Sequence, residues 1–363
     1  MFEIIFLIII ICYFFQSFIF AIGVQKNFPQ INEEELLTAT VIVAARDEEK
    51  NILRCLESLN KLVYPEGKLE IILVDDRSTD KTGEIINKFI KGKERFKKII
   101  SKEPKGKLKG KTNALASGIE VAKGEIIFTT DADCSVKPTW IIKTASYYKD
   151  YVAMVNGFTT QESVNNFSGM QSIDFIYLLM IASSTINLGK PISCIGNNMS
   201  YLKKAYFEVG GYEALPFSVT EDFNLLMAIS RLGKYKIIYP MDKETLVTSL
   251  ACENIKSLYR QKKRWAVGGL GVPLSGFLIL INGYLTYLCM LLLPFFYSSV
   301  SLYLLIFKLA IDFFILYPIH KRLGIEKNMK YFFIAEIYFI VYVLTLPFLI
   351  VLNRKVIWKG REF

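Results

Sequence analysis

The chain contains little of the chemistry on which many enzymes depend. It has one histidine, His320, which excludes a histidine-based metal site and a Ser-His-Asp triad. Its six cysteines form no CxxC pair, as is typical of reduced thiols and not of a disulfide scaffold. With 52% hydrophobic residues, and with 22 glycines and 11 prolines that show no period, it is neither disordered nor collagen-like. Chemistry here must therefore depend on carboxylates, lysines and hydroxyls.

Apolar residues are concentrated at the two ends of the 363-residue chain. Residues 4–24 carry no charge, and at about 1.5 Å per residue a helix there spans a bilayer core. Residues 274–319 suffice for two spans with a turn near Ser298, and residues 331–352 form a third apolar stretch. We therefore predict an N-terminal anchor at 1–24, a globular domain at 25–272, transmembrane or interfacial helices at 273–352 and a basic tail at 353–363.

Charged residues inside the apolar segments need partners. Lys308 and Asp312 are four residues apart, so we predict that they neutralise each other on one helix face. Asp174 lies inside the apolar segment 167–187, which fits either an interfacial helix or a buried core helix.

Basic residues bear on the orientation in the membrane. Lys26 follows the first apolar segment and favours a cytoplasmic globular domain. The loop 320–330 and the tail 353–363 are also basic, yet three full spans after a cytoplasmic domain would place the tail outside. Either residues 331–352 turn back at Pro347, or one segment lies along the interface, or the rule fails here. We predict an integral protein of a prokaryotic plasma membrane, with its globular domain facing the cytoplasm.

Between the apolar ends, short apolar runs alternate with segments of helical periodicity. The runs predict buried strands at 40–45, 69–74, 96–100 and 125–130. This alternation predicts an α/β fold with a mainly parallel central sheet covered by helices. In such sheets ligands bind beyond the carboxyl ends of the strands.

Acidic clusters follow three of these four strands: Asp47, Glu48 and Glu49; Asp75 and Asp76; and Asp131 and Asp133. Carboxylates brought together in this way repel one another unless a cation or a donor-rich ligand lies among them. Helix N-capping does not account for Asp131 and Asp133, since alternate residues leaving a strand point the same way. Oxygen ligands of this kind suit Mg²⁺ or Mn²⁺ shared with a phosphate.

Several motifs occur in a fixed order along residues 39–270: AARDEEKNILRCLESL, VDDRSTDKT, GKTNALASG, TTDADC, GNNMSYLKKAYFEVGGYE, TEDFNLL and QKKRW. In this order the chain resembles membrane-bound family 2 glycosyltransferases, the group of cellulose and hyaluronan synthases and ceramide glucosyltransferases. The resemblance implies a GT-A fold, a nucleotide-sugar donor, usually a UDP-sugar, a divalent cation and transfer with inversion at the anomeric carbon.

The resemblance also implies a set of donor-binding residues, namely Glu48, Asp75, Asp76, Lys111, Asp131 and Asp133. Asp75 and Asp76 would contact the nucleoside, since carboxylates accept hydrogen bonds from a uracil N–H and from ribose hydroxyls. Lys111, at a helix start, would lie near the sugar or diphosphate. Asp133 would be the main ligand of Mg²⁺ or Mn²⁺, with Asp131 closer to the ribose or donor sugar.

Further residues are implied on the catalytic and acceptor side. Asp222 resembles the catalytic base, and no second carboxylic acid is needed because a diphosphate leaves without a proton. Gln261, Arg264 and Trp265 share a helix face, from which Arg264 would bind the diphosphate and Trp265 would offer a flat surface to the acceptor. Glu221, Asn197 and Asn198 complete the acceptor or diphosphate side.

A basic run adds to the charge pattern. Residues 88–111 hold 11 Lys and Arg against Glu94 and Glu103, which accounts for nine of the ten net positive charges of the chain. The run could attract anionic lipid headgroups, concentrate the anionic donor, or be a solvated loop. Nucleic-acid binding is disfavoured, since no recognisable binding module accompanies the charge.

Three functional hypotheses follow. We favour a single transfer to a lipid or lipid-linked acceptor, because the membrane portion after the globular domain is short. A processive polysaccharide synthase of the same family is the alternative, and the QxxRW pattern favours it. A non-catalytic membrane scaffold is the alternative from another class. A transporter is disfavoured, since most of the chain is globular and its apolar segments lack paired repeats.

Overall fold

The structure is a computed structural model that describes residues 1–104 and 106–352 and two short paired strands, Ile357–Trp358 and Arg361–Glu362, with side chains up to residue 348. Lys105 of the basic run and most of the predicted basic tail lie outside the described residues.

The strands of the globular part are β1 Ala39–Ala45, β2 Leu69–Asp75, β3 Phe96–Ile100, β4 Ile126–Asp131, β5 Val152–Asn156, β6 Thr159–Gln161, β7 Met199–Leu202, β8 Lys236–Ile238 and β9 Val247–Ser249. The helices are α1 Phe2–Val24, α2 Ile52–Asn60, α3 Thr82–Ile90, α4 Gly110–Val121, α5 Trp140–Ser146, α6 Asn166–Asn187, α7 Lys203–Glu208, α8 Gly211–Ala214, α9 Glu221–Arg231, α10 Ile255–Gly268, α11 Leu274–Leu292, α12 Ser299–Leu323 and α13 Phe332–Leu352.

Seven strands form one sheet in the order β3-β2-β1-β4-β7-β5-β8. All neighbours pair in parallel except β7, which is antiparallel to β4 and β5. The predicted α/β fold with a mainly parallel sheet is therefore confirmed. The helix α4 packs closely on the sheet at Gly118, where a Cβ atom would lie 2.8 Å from Ile42 and 3.0 Å from Val74.

The register of the sheet brings the acidic clusters together. Strand β1 pairs with β2 on one side and with β4 on the other, all in parallel. Ala45 is opposite Asp75, and Ala44 is opposite Asp131. The three acidic clusters that follow these strands therefore lie along a single edge of the sheet.

Five helices within the described residues are long and apolar enough to cross a membrane: α1, α6, α11, α12 and α13 with the turn before it. In α6, 78% of the most apolar window is buried inside the protein, against a third or less in the others. The segment 167–187 is therefore a core helix, onto which α1 packs so closely at Gly23 that a Cβ atom would lie 2.7 Å from the Ser184 carbonyl. Ser298 caps α12 after the expected turn, whereas α13 continues through Pro347 and does not turn back there.

The charges in the apolar helices form a cluster larger than the predicted pair. Lys308 and Asp312 pair as expected, with 3.0 Å between Nζ and Oδ2. Lys308 also pairs with Glu336 of α13 and donates to the Tyr287 hydroxyl of α11 at 3.2 Å. The Tyr13 hydroxyl of α1 donates to Asp312 at 2.6 Å. The cluster therefore ties four apolar helices together.

Candidate active site

One cavity with a volume of about 1580 Å³ extends from the carboxyl edge of the sheet to the apolar helices. Asp76, Asp133 and Asp222 line its sheet end, and Tyr287 and Phe339 line its helix end. Small-molecule pockets commonly have volumes of about 300–1,000 Å³. The cavity therefore has room for two ligands, one polar and one apolar.

Most of the residues predicted for the site line this cavity: Glu48, Asp76, Lys111, Asp131, Asp133, Asn197, Glu221, Asp222, Gln261, Arg264 and Trp265. They come from strand ends, helix starts and the body of α10, and are up to about two hundred residues apart in sequence. Asp75 and Asn198 are not among the lining residues.

Asp75 does not line the cavity, although it was expected to contact the nucleoside together with Asp76. Its Oδ1 accepts a hydrogen bond from the Ser78 backbone N–H at 2.9 Å, and its Oδ2 lies 3.2 Å from Lys98 Nζ. Asp76, the next residue, faces the cavity and accepts from the Ser101 hydroxyl at 2.8 Å. Successive side chains at a strand end point to opposite sides, so only one member of the pair can face the ligand.

Asn198, which was expected on the acceptor side, also does not line the cavity, because its side chain is hydrogen-bonded inside the protein. Its Nδ2 donates to two backbone carbonyls at 2.7 and 2.9 Å, and its Oδ1 accepts from Trp140 Nε1 at 2.8 Å. Asn197 does line the cavity, and its Oδ1 accepts from the Thr159 hydroxyl at 2.8 Å. Of these two asparagines, Asn197 is therefore the one that can contact a ligand in the cavity.

Asp131 and Asp133 follow β4 and offer oxygen atoms alone. Asp131 Oδ1 lies 2.6 Å from Lys111 Nζ, whereas Asp133 Oδ1 accepts from the Cys134 thiol at 3.4 Å. Burial, then the charges of Asp131 and Glu48, raise the pKa of Asp133 to about 6. This buried negative charge and the oxygen donors fit Mg²⁺ or Mn²⁺. The described residues contain no group of three or more acidic, histidine or cysteine side chains placed for a metal, so phosphate oxygens or water would have to complete the coordination.

Lys111 lies between Asp131 at the end of β4 and Glu221 at the start of α9. It lies in the first turn of α4, with Nζ 2.6 Å from Asp131 and 3.1 Å from Glu221. Burial alone would lower the pKa of Lys111, but the two carboxylates outweigh it and raise the pKa. The ammonium group is therefore charged at any physiological pH and lies beside a helix N-terminus, where phosphates bind well.

Asp222 lies in the first turn of α9 and accepts a hydrogen bond from the Phe223 backbone N–H at 2.8 Å. Burial, then the neighbouring Glu221, raise the pKa of Asp222 to about 6. The backbone at Gly196 lies so near that a Cβ atom there would be 3.2 Å from Asp222 Oδ2. At neutral pH such a group is mostly ionised and is more basic than an ordinary aspartate, which suits a general base.

Helix α10 presents Gln261, Arg264 and Trp265 to the cavity. The tryptophan ring stacks on Phe175 with 5.5 Å between ring centroids, and Lys262 Nζ lies 4.5 Å from its centroid. Part of the flat surface expected to receive an acceptor is therefore in contact with the protein's own side chains. Arg264 donates to the Val219 carbonyl at 3.3 Å, in the loop that leads to Asp222.

Two cavity residues received no role in the sequence analysis. Arg46 donates to the Asp76 carbonyl at 2.8 Å and brings a cation close to Asp76. Its position between a strand and an acidic cluster was the signal available in the sequence. Asp174 lines the cavity from α6 and pairs with Lys262 of α10. No sequence pattern links Asp174 to Lys262.

Comparisons with known proteins decide the family. The sequence profile described as Glycosyl transferase family 2 matches residues 40–220. The chain belongs to glycosyl transferase family 2.

Curated relatives of this family 2 glycosyltransferase include enzymes of more than one kind. The probable glycosyltransferase YdaM of Bacillus subtilis is 28% identical over 264 residues, which are 69% of this chain and 60% of the relative. The beta-monoglucosyldiacylglycerol synthase of a Nostoc species is 27% identical over 262 residues, 69% and 54% of the two chains. The poly-beta-1,6-N-acetyl-D-glucosamine synthase of Staphylococcus aureus is 28% identical over 253 residues, 69% and 58%. The chain thus spans little more than half the length of these relatives.

A solved structure shows the GT-A fold. The mannosyltransferase PcManGT from Pyrobaculum calidifontis, in complex with GDP-Man and Mn²⁺, superposes with a TM-score of 0.61 at 16% sequence identity. The match covers 93% of this chain and 99% of the mannosyltransferase. The expected GT-A fold is confirmed.

Proposed function

We propose that this family 2 glycosyltransferase moves a sugar from a nucleotide-sugar, most simply a UDP-sugar, to a hydroxyl of a lipid or lipid-linked acceptor, with inversion. The observation that carries the proposal is one continuous cavity, which joins the acidic edge of the sheet to the apolar helices. A polar donor and an apolar acceptor can meet there beside Asp222.

The sheet end of the cavity suits the donor. Asp76 and Glu48 would accept hydrogen bonds from the nucleoside, and Arg46 would neutralise part of the negative charge. Asp133, assisted by Asp131, would hold Mg²⁺ or Mn²⁺, which as a Lewis acid stabilises the charge that develops on the leaving diphosphate. The GT-A neighbour described with GDP-Man and Mn²⁺ supports a nucleotide-sugar and a divalent cation as ligands of this fold.

The residues of this chain divide the reaction between them. Asp222 would take the proton from the acceptor hydroxyl as that oxygen attacks the anomeric carbon. Lys111 and Arg264 would offset negative charge on the diphosphate side of the sugar. A diphosphate leaves without a proton, so one carboxylate base suffices.

The helix end of the cavity suits a lipid. Apolar side chains of α6, α11 and α13 line it, including Leu179, Leu280 and Leu346. The relative that is named a beta-monoglucosyldiacylglycerol synthase supports a lipid acceptor. The apolar helices agree with membrane association, and we propose a prokaryotic plasma membrane with the GT-A domain on the cytoplasmic side.

Membranes that contain the wild type or Asp222→Asn test the proposal. With a panel of labelled UDP- and GDP-sugars, we expect the wild type to transfer sugar into the lipid fraction and the variant to be at least about a hundredfold slower. Mass spectrometry of the lipids identifies the sugar and the acceptor. A wild type without transfer or donor hydrolysis would instead agree with a non-catalytic scaffold.

A processive synthase is the second candidate. The QxxRW pattern on α10 and the S. aureus polysaccharide synthase among the relatives favour it. The same mass spectra decide between the two, because single transfer adds one sugar and processive synthesis gives a ladder of products.

A further inference from the structure

Asp174, which lines the cavity, has a buried carboxylate oxygen without a hydrogen-bond partner in the part of the chain that the structure describes. Asp174 lies in the middle of α6, is 1% exposed and lines the cavity. Its Oδ2 pairs with Lys262 and lies 3.5 Å from the Tyr338 hydroxyl. Its Oδ1 has no hydrogen-bond partner among the described residues. A buried carboxylate oxygen without a donor is costly, because it has lost water without replacement.

The surroundings hold this carboxylate in place. Lys262, on α10, is itself 4% exposed, and its ammonium group lies 4.5 Å from the Trp265 ring centroid and 4.9 Å from that of Tyr342. The ion pair and these rings join α6, α10 and α13. Since Oδ2 is occupied by Lys262, Oδ1 is the oxygen left for a ligand in the cavity.

The chemistry of this position suits a hydroxyl group. An ionised carboxylate can only accept hydrogen bonds, so its ligand must be a donor. The neighbouring rings of Phe175, Trp265 and Tyr342 give it an apolar border, which favours a molecule that combines hydroxyls with apolar surface. The position also lies where the helix that carries the QxxRW pattern meets the apolar helices, on the acceptor side.

We propose that Asp174 is an acceptor-binding residue, whose Oδ1 accepts a hydrogen bond from an acceptor hydroxyl other than the one that reacts at Asp222. This inference rests on the proposed function and narrows it. The preferred acceptor then carries at least two hydroxyls, as a glycosylated or polyol lipid headgroup does, and a lipid with a single hydroxyl is a poor ligand.

Binding measurements on the full chain in lipid nanodiscs test the inference. The two probes are glucosyl-dioleoylglycerol, which has several hydroxyls, and dioleoylglycerol, which has one; both are titrated with UDP and Mn²⁺ present. The wild type should prefer the glucosyl lipid, and Asp174→Asn should weaken binding of that lipid about tenfold or more while the affinity for dioleoylglycerol changes little. Equal binding of both lipids by the wild type, or an unchanged preference in the variant, overturns the inference.

Two further variants guard against a structural explanation. Asp174→Leu combined with Lys262→Met removes both charges of the pair, so it avoids an unpaired buried lysine and should still lose the preference. Asp312→Asn disrupts another buried Lys–Asp pair, one that does not line the cavity. This variant should keep the preference for the glucosyl lipid. If Asp312→Asn also abolishes the preference, Asp174 acts only through general packing.

Donor hydrolysis by the wild type, measured in the same nanodiscs, separates the two proposals. Its absence together with a retained lipid preference would refute the transferase and leave the hydroxyl site. Its presence without any preference would refute the hydroxyl site alone.

Discussion

Carboxylates occur in two regions of the molecule, and the regions differ in what balances their charge. At the sheet edge, Asp131 and Glu221 share Lys111, and the pKa of Asp133 and of Asp222 is raised to about 6. In the apolar helices, Lys308 pairs with both Asp312 and Glu336 inside the protein. The sheet edge is therefore arranged to be completed by a cation and a ligand. In the helix cluster, by contrast, Lys308 of the protein lies between the two carboxylates and joins α12 to α13, although Glu336 Oε1 has no hydrogen-bond partner among the described residues.

The largest effect should come from the sheet edge. Asp222→Asn removes the proposed base at nearly constant volume, and we expect transfer to fall by about 10²–10⁴-fold with little loss of stability. Initial rates with labelled donor measure it. Asp242→Asn is the matched control, because Asp242 caps a turn at Glu244 and does not line the cavity. Comparable losses in both variants would contradict the role of Asp222.

Removal of the divalent cation tests the metal-binding role proposed for Asp133 at the sheet edge. Chelation with EDTA should abolish transfer, and Mn²⁺ or Mg²⁺ should restore it. In Asp133→Asn the cation concentration that gives half-maximal activity should rise about tenfold or more, since one of two carboxylate ligands is lost. A cation titration of both proteins measures this, and identical curves would exclude Asp133 as a ligand.

Disruption of the helix cluster of Lys308, Asp312 and Glu336 should lower the stability of the protein and leave the transfer rate unchanged. Lys308→Met leaves Asp312 and Glu336 buried without their cation, and breaking a buried ion pair in this way costs about 3–5 kcal/mol. Thermal unfolding in nanodiscs should show the loss, while the rate per folded molecule stays near that of the wild type. A variant that unfolds normally but transfers slowly would give this cluster a catalytic role and remove the contrast between the two regions.

The sequence predicted the elements that carry the sheet edge because buried parallel strands are continuous apolar runs. The strands β1, β2, β3 and β4 agree with the predicted segments within one residue at either end. The strands β6, β8 and β9 have three residues each, too few to show a period, and were not predicted.

Side-chain direction and distant pairing were the harder parts of the site. Both aspartates of the DD pair have suitable chemistry, but the sequence does not say which one faces the cavity, and the structure selects Asp76. The pair between Asp174 and Lys262 joins residues 88 positions apart, so neither residue indicates the other in the sequence. Tertiary packing of α6 against α10 creates this contact.

The pH dependence of transfer sharpens the description of the sheet edge. A base must be ionised, so kcat/KM should be constant above about pH 6 and fall up to tenfold per pH unit below it, instead of below about pH 4. Glu221→Gln removes the neighbouring charge that helps to raise the pKa of Asp222, so it should move this limb to lower pH. A pH–rate profile at saturating Mn²⁺ measures both, and a limb that stays in place would show that Glu221 does not act on the base.

Because the folded-state pKa of Asp222 lies above its unfolded value, the same group affects stability. The folded protein binds this proton more tightly than the unfolded chain does. The titration of Asp222 therefore raises the free energy of unfolding as the pH falls from about 6 towards 4, and the ionised group lowers it at higher pH. Asp222→Asn should therefore flatten the dependence of the unfolding temperature on pH in that interval. An unchanged slope would mean that another group titrates there.

The smallest effect should come from the aspartate that faces away from the cavity. Asp75→Asn weakens the contact with Lys98 and the hydrogen bond from Ser78, at a cost of about 1–3 kcal/mol in stability. Since Asp75 does not line the cavity, Asp75→Asn should leave the donor KM within about twofold of the wild-type value. Asp76→Asn should raise the donor KM about tenfold or more, because a charged hydrogen-bond acceptor that faces the cavity is lost. Donor KM values for the two variants, measured side by side, decide the point. An equal rise in both would mean that the loop after β2 acts as a unit, and that the direction of one side chain does not define the nucleoside site.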